Sequence, residues 1–501
     1  MQNNPLHYPA LLSLAALLLG GCATAMSPSE APAKAEAPAT PEPSRDSKDT
    51  RDPNDAYLST YKPLPSGPVL ITNATILTAA GDRIERGSIL LQDGRVSMVG
   101  GSGNIQAPAG ATVVDATGKW VTPGIIDAHS HLGVYASPGV EANEDGNEMT
   151  NPVTAEVWAE HAVWPHDPQF PLALAGGVTA MQILPGSGNL IGGRSVTVKN
   201  VPALHVDQMK FPGAPYGLKM ACGENPKRVY GEKGRSPMTR MGNVAGYRRA
   251  WIDAAEYRRS WDDYRERERQ REKDGKARDY KYDKDDKPPG RDLAKETLAG
   301  VLAGEILVQN HCYRADEMLT MIDIAREFGY KIAAFHHAVE AYKIADVLAR
   351  EGICSDIWAD WWGFKMEALD GIRENAAILQ KAGACVVIHS DSADGIQRLN
   401  QEAAKAMAAG NRMGMNIRPE DAIRWITINP AKSIGVGDQT GSLEVGKMAD
   451  VVVWSGNPFS VYTRAEKVYI DGALIFDRGK LQPRTDFEIG IMPTSLEGGV
   501  Q

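Results

Sequence analysis

Eight short apolar runs occupy the middle of this chain, and stretches of helical character separate them: 124–128, 178–183, 195–199, 216–220, 305–309, 331–335, 353–357 and 384–388. Strands alternating with helices predict a parallel sheet with the helices outside it. Eight such units fit a closed (β/α)8 TIM-like barrel, in which chemistry gathers at the C-terminal ends of the strands. Polar residues recur at those ends: His129 and His131 after the first run, Lys219 in the fourth, His311 after the fifth, His337 after the sixth and Asp391 after the eighth.

The first run is the most informative. Residues i and i+2 of an extended chain point to the same side, so His129 and His131 can face one point, as metal ligands do. His336 and His337 are neighbours, so only one of them can face the same interior. His389 lies two residues before Asp391 and on its side of an ideal strand; it either orients substrate or makes a structural hydrogen bond.

Outside the barrel, β-rich runs at 69–78, 88–92, 95–99 and 112–115 match others at 450–454 and 467–470. Asp93-Gly94 and Asp471-Gly472 supply turn signals. Both chain ends are therefore expected to build one small β-sandwich. The expected order is leader 1–22, disordered tether 23–68, sandwich 69–120, barrel 121–435, sandwich 436–485 and tail 486–501. Within the barrel, 246–292 is a charged helical insertion of nearly balanced sign. It is a solvated excursion or, on a sharper reading, a lid or subunit contact; a homo-oligomer is compatible with the latter. The tether is rich in Pro, Ala, Ser and charge and lacks the apolar surface to order itself. A net charge of −9 speaks against a nucleic-acid partner. Five cysteines without paired spacing indicate neither a disulfide framework nor a zinc ribbon. Cys354 and Cys385 read as small buried residues. Cys222 and Cys312 lie near candidate ligands and can pair only if their Cα atoms fall within about 7 Å.

The stretch Thr122 to His131 resembles the first barrel strand of the amidohydrolase superfamily. Gly118-Lys119-Trp120-Val121 and the segment Gly441 to Val453 resemble the two ends of that family's small β domain. The resemblance runs from about Val69 to Asp477 and is nearest the imidazolonepropionase-like and Xaa-Pro-dipeptidase-like branch. His311-Cys312-Tyr313-Arg314-Ala315-Asp316 resembles a His-x-His-Arg-Ala-Asp motif, with Tyr313 replacing the second histidine. His337-Ala338-Val339-Glu340-Ala341 resembles His-Gly-Thr-Glu-Ala, which selects His337 and leaves His336 behind it. Val386 to Ser392 resembles the eighth-strand motif.

This resemblance implies a metal set of His129, His131, Lys219, His311, His337 and Asp391. Gly217-Leu218-Lys219-Met220 resembles the position where a lysine carboxylated by CO2 bridges two metals. Glu224 as a plain carboxylate and Lys199 are competing bridges. Nitrogen and oxygen donors suit a pair of zinc ions, with manganese, iron or cobalt as alternatives. A bridging hydroxide would attack, with Asp391 as general base and then general acid. Tyr313, Arg314, His389, Asn189 and Arg194 are candidate substrate contacts, although tight turns explain the glycines around Asn189 equally well.

The implied function is hydrolysis of a carbon–nitrogen bond in a small-molecule amide: a dipeptide, an N-acyl amino acid or a cyclic amide. A mononuclear deaminase or imidazolonepropionase-type ring hydrolase is the alternative. A catalytically silent binding lipoprotein is a third reading. Leu19-Gly20-Gly21-Cys22 resembles a bacterial lipobox, which implies lipidation at Cys22 and an outer-membrane anchor in the cell envelope; an ordinary secretory signal is the competing reading.

Overall fold

The computed structural model describes residues 57–273 and 287–480. The leader with Cys22, the tether up to residue 56, the middle of the charged insertion (274–286) and the tail lie outside the described residues.

Five strands precede the barrel: β1 (Val69–Ile76), β2 (Ile84–Gln92), β3 (Arg95–Gly101), β4 (Thr112–Asp115) and β5 (Trp120–Pro123). The eight barrel strands are β6 (Ile125–Ser130), β7 (Val178–Ile183), β8 (Ile191–Lys199), β9 (Gly217–Ala221), β10 (Leu307–Cys312), β11 (Ile332–His337), β12 (Cys354–Ile357) and β13 (Cys385–Ile388). Three more return to the first group: β14 (Val451–Trp454), β15 (Ala465–Ile470) and β16 (Ala473–Asp477).

The outer strands join as one sheet in the order β16-β15-β14-β5-β1-β2-β3, with β4 on β1. Both chain ends contribute, as the sequence predicts, but the strands hydrogen-bond as a single sheet rather than as two facing ones. The reason is β5, which merges in sequence with the first barrel run. It pairs parallel to β1 and antiparallel to β14, so it joins the two halves edge to edge. Asp93 and Gly94 both take positive φ (53° and 74°) between β2 and β3, as do Asp471 and Gly472 (48° and 76°) between β15 and β16. Asp-Gly adopts this conformation readily, and its twist matches that of the flanking strands.

The barrel strands follow one another from β6 to β13 in sequence order. All neighbours run parallel except around β8, which is antiparallel to both β7 and β9. This corrects the expectation of eight parallel units. Only residues 184–190 connect β7 to β8, and a parallel crossover needs a dozen or more. The chain therefore turns back as a hairpin, and the glycines at 186 and 188 belong to its turn. The seam between β13 and β6 is closed beyond the strand ends: Asp391 N–H donates to the His129 carbonyl at 3.0 Å. The backbone N–H and side-chain hydroxyl of Ser390 both donate to Asp127.

The insertion forms helix α1 (Arg240–Lys273), 34 residues long and beginning before the expected boundary. Its first turns bury Tyr247, Trp251 and Ala254, and the Tyr247 hydroxyl donates to the Ala221 carbonyl at the end of β9. The charged remainder is largely exposed, in keeping with a solvated excursion.

Two disulfides correct the cysteine reading. Cys354 and Cys385 face each other in register on β12 and β13, with Cα atoms 4.4 Å apart. Cys222 and Cys312 join the ends of β9 and β10 across a Cα distance of 5.2 Å. Residues distant in sequence become neighbours on adjacent strands, so spacing along the chain carried no signal.

Candidate metal centre

Apolar strands bring the polar residues to one mouth. His129 and His131 end β6, and their Nε2 atoms stand 3.3 Å apart. Asp391 Oδ1 lies 3.2 Å from His131 Nε2 and 3.5 Å from His129 Nε2. Lys219 is buried on β9. Its Nζ is 3.3 Å from His129 Nε2 and donates to the Pro185 carbonyl at 3.0 Å. His337 Nδ1 lies 3.9 Å from Asp391 Oδ2, and the His311 ring centroid is 4.5 Å from that of His337. Strand ends that are neighbours in the barrel thus unite six residues spread over more than 260 positions.

The hydrogen bonds fix which nitrogens face the site. Gln309 Nε2 donates to the Ser433 carbonyl at 3.0 Å, which leaves Gln309 Oε1 as the acceptor for His336 Nε2–H at 2.7 Å. A neutral His336 then presents Nδ1 as acceptor to His129 Nδ1–H, at 2.8 Å. His129 Nε2 is left with its lone pair toward Asp391 and His131. Independently, His131 Nδ1–H donates to the Leu184 carbonyl at 2.8 Å, so its Nε2 also carries a lone pair. Two such lone pairs 3.3 Å apart repel unless a cation or proton lies between them. Histidine ligands whose second nitrogen is held by a fixed partner are typical of metal sites.

Burial, reinforced by mutual charge and Lys219, holds His129, His311, His336 and His337 well below the usual imidazole range. Burial takes His389 down to about 3. The histidines are therefore neutral and able to ligate. Burial lowers Lys219 to about 8, with Asp391 opposing. Burial alone would raise Asp391, but its neighbours, His131 first and Lys219 with it, outweigh that and its carboxyl stays below the usual range. Among the described residues, His337 Nδ1, His311 Nδ1 and both nitrogens of His389 are buried without hydrogen-bond partners. Such donor atoms fit a divalent cation.

Two groups converge to within 4.8 Å: His129, His131 and Asp391, and His129, His337 and His389. His389 thus joins a possible ligand group, a role the sequence reading did not give it; its same-side spacing from Asp391 was the available signal. His337, Ala338 and Asp391 take positive φ (68°, 37° and 50°) at the ends of β11 and β13. Such non-glycine conformations cost on the order of 1–3 kcal/mol each and cluster at functional sites.

Other candidates lie elsewhere. Lys199 ends the reversed strand β8 and so sits opposite the start of β7, at the other end of the barrel. There its Nζ meets Asp471 at 2.7 Å and Asp450 at 3.3 Å, which removes it as a bridge. Glu224 faces Lys365 at 3.7 Å and belongs to neither ligand group. The Asn189 amide is buried and donates to the carbonyls of Glu148 and Asn151 and to Thr154 Oγ1, so it shapes the hairpin turn. The guanidinium of Arg194 lies 4.0 Å over the Trp158 ring and donates to Thr297, a packing role. Arg314 pairs bidentately with Asp316. Tyr313 does line the mouth, with its ring 5.2 Å from that of His337.

Residues 305–478 match the model of the amidohydrolase family. The chain is 32% identical over 408 residues to amidohydrolase tasK of Hapsidospora irregularis, covering 79% of this chain but only 39% of that protein's length. It is 23% identical over 411 residues to imidazolonepropionase of Mesorhizobium japonicum, covering 74% of this chain and 87% of that one. The crystal structure of an amidohydrolase from Thermotoga maritima superposes with a TM-score of 0.71 at 37% identity, spanning 82% of this chain and 100% of the other. The chain belongs to the amidohydrolase family, whose members are hydrolases acting on carbon–nitrogen bonds.

Proposed function

We propose that the chain hydrolyses an amide of a small molecule, such as a dipeptide, an N-acyl amino acid or a cyclic amide, at a centre of two divalent metals, with zinc the best fit to the donors. The observation that carries this reading is the setting of Lys219, a buried amine 3.3 Å from His129 Nε2 with no carboxylate paired to it within salt-bridge distance among the described residues. An amine lowered to about 8 has a neutral fraction able to add CO2. The carbamate so formed would turn an unwelcome cation among imidazoles into an anionic ligand. His129 cannot ligate two ions, because His336 holds its other nitrogen. His129, His131 and Asp391 would hold one ion and His311 and His337 the other, with Lys219 as the ligand they would share. The metals would supply water activation and polarisation of the scissile carbonyl. Asp391, kept ionised, accepts the proton of the attacking water and returns it to the departing nitrogen.

A second reading, a mononuclear deaminase or ring hydrolase, draws on the compact trio of His129, His337 and His389. Elemental analysis of protein purified with bicarbonate separates the two. Two metals per chain are expected, falling in Lys219→Ala; a single metal unaffected by that substitution overturns the binuclear reading.

The proposal extends to location, a lipid-anchored envelope protein. Two disulfides in one barrel suit an oxidising compartment. Labelling Cys22 with a palmitate analogue in bacterial cells tests it, and absence of the label from Cys22 overturns it.

A further inference from the structure

The loop leaving β12 reads Trp358-Ala359-Asp360-Trp361-Trp362-Gly363-Phe364-Lys365-Met366, with four aromatic residues in nine. An apolar loop would bury itself if it served packing alone. Of these four aromatic residues only Trp358 is buried; Trp361 and Trp362 are each 42% exposed and Phe364 56%. The rings are ordered rather than scattered. Tyr313 stacks on His337 (5.2 Å, 20°), His337 on Trp358 (4.3 Å, 24°) and Trp358 on Trp361 (5.3 Å, 21°). Phe364 stands edge-on to Trp358 at 5.7 Å and 81°. A column of parallel rings therefore leads from a candidate metal ligand to the solvent. It walls a cavity of ≈ 520 Å³ whose floor includes Asp391. That volume lies within the usual range for small-molecule sites, about 300–1,000 Å³.

We infer that this cavity is the substrate's side-chain subsite, and that it selects amides bearing a neutral aromatic group next to the scissile bond. The inference rests on the amide-hydrolase reading and deepens it. Exposed aromatic faces favour either an aromatic ring or a cation. The charges decide between them. Asp360, the outer carboxylate of the lining, is already answered by Lys405 at 2.7 Å. Asp391 is engaged with His131 at 3.2 Å. Lys365 lies 3.9 Å over the Tyr313 ring and is itself paired with Glu224 at 3.7 Å and Glu367 at 3.8 Å, so those two carboxylates are held as well. A cationic substituent would meet no carboxylate that lacks a partner of its own. A neutral ring meets the five aromatic side chains of the lining and loses no hydration of its own charge.

The test uses the metal-loaded full chain and four probes, N-acetyl-phenylalanine, N-acetyl-leucine, N-acetyl-alanine and N-acetyl-lysine. Binding is followed by saturation-transfer NMR and hydrolysis by release of acetate. The phenylalanine probe is expected to bind at least about tenfold more tightly than the alanine probe, with the lysine probe weakest. In Trp361→Ala and Phe364→Leu the phenylalanine-to-alanine ratio should fall toward one while the metal content is retained. Both positions are exposed, so each variant is expected to fold, which circular dichroism checks. Equal affinity for all four probes, tightest binding of the lysine probe, or an unchanged ratio in both variants overturns the inference. Selective binding without hydrolysis of any probe leaves the subsite standing and counts instead against the amide-hydrolase reading.

Discussion

Lys199 and Lys219 lie on adjacent strands of one barrel and are almost equally inaccessible, at 0% and 1% exposure. Their surroundings are opposite. Lys199 meets two buried carboxylates, Asp450 and Asp471, and the Tyr61 hydroxyl donates to the second of these. It thereby fastens the barrel to the outer sheet and to the segment before β1. Lys219 meets a histidine nitrogen and a carbonyl. One lysine is neutralised by partners and holds structure. The other lacks such a partner, and burial pushes it toward its neutral, reactive form. Burial of a charge becomes chemistry where the protein leaves it unpaired.

The sharpest way to break this contrast is to replace each lysine by methionine. Lys219→Met should lower amide hydrolysis by on the order of 10³-fold or more, the equivalent of several kcal/mol of lost metal-centred stabilisation, with the metal-free fold intact. Full activity in this variant would refute its role. Lys199→Met should do the reverse. It leaves two buried carboxylates without a cation, which costs about 3–5 kcal/mol. Thermal unfolding should show that loss, and an unchanged transition would mean that the ion cluster is not structural.

Smaller effects sharpen the comparison. Gln309→Leu removes the acceptor that orients His336 and, through it, His129. Metal affinity should fall about 10–100-fold, by competition with a chelator, and the metal-free protein should lose about 1–3 kcal/mol for each buried partner left unsatisfied. In the metal-free protein the neutral histidines set a pH dependence. Their folded pKa values lie below the unfolded value near 6.5, so unfolding takes up protons below that pH and stability falls as pH drops through it. Each contributes about 1.4 kcal/mol per pH unit in that window. Asp127, raised to about 7 by burial against its hydrogen bonds, and Asp356, raised by burial and by Asp127, oppose this in the same range. Asp167, Glu317, Glu367, Glu402 and Asp471 are raised by burial too and act in the same sense as Asp127, so the histidine effect is read by comparing the parent with His389→Asn at pH 5 and 7, the parent losing more stability in acid. At Lys219, about a tenth of the amine is neutral at pH 7 for a pKa near 8, against about 0.03% for a free lysine. Labelled bicarbonate should therefore give a carbamate signal that grows with pH up to about 8 and vanishes in Lys219→Met.

The sequence by itself determined the elements. Apolar runs located every barrel strand, and Asp93-Gly94 and Asp471-Gly472 marked hairpins where the backbone needs positive φ. The His129–His131 spacing pointed to metal chemistry because alternation along a strand is local geometry. Only the tertiary structure decided the rest, because the deciding contacts join residues far apart in the chain. The reversal of β8 depends on a connection too short to cross over, and it sends Lys199 to the opposite end from Lys219. The two disulfides require particular strand registers. Asn189 and Arg194 have structural partners that arrive from residues at least 35 positions away. The tautomer of His129 depends on His336, Gln309 and the carbonyl of Ser433, which meet only inside a closed barrel. Periodicity reports which face a residue occupies; packing alone reports what it meets there.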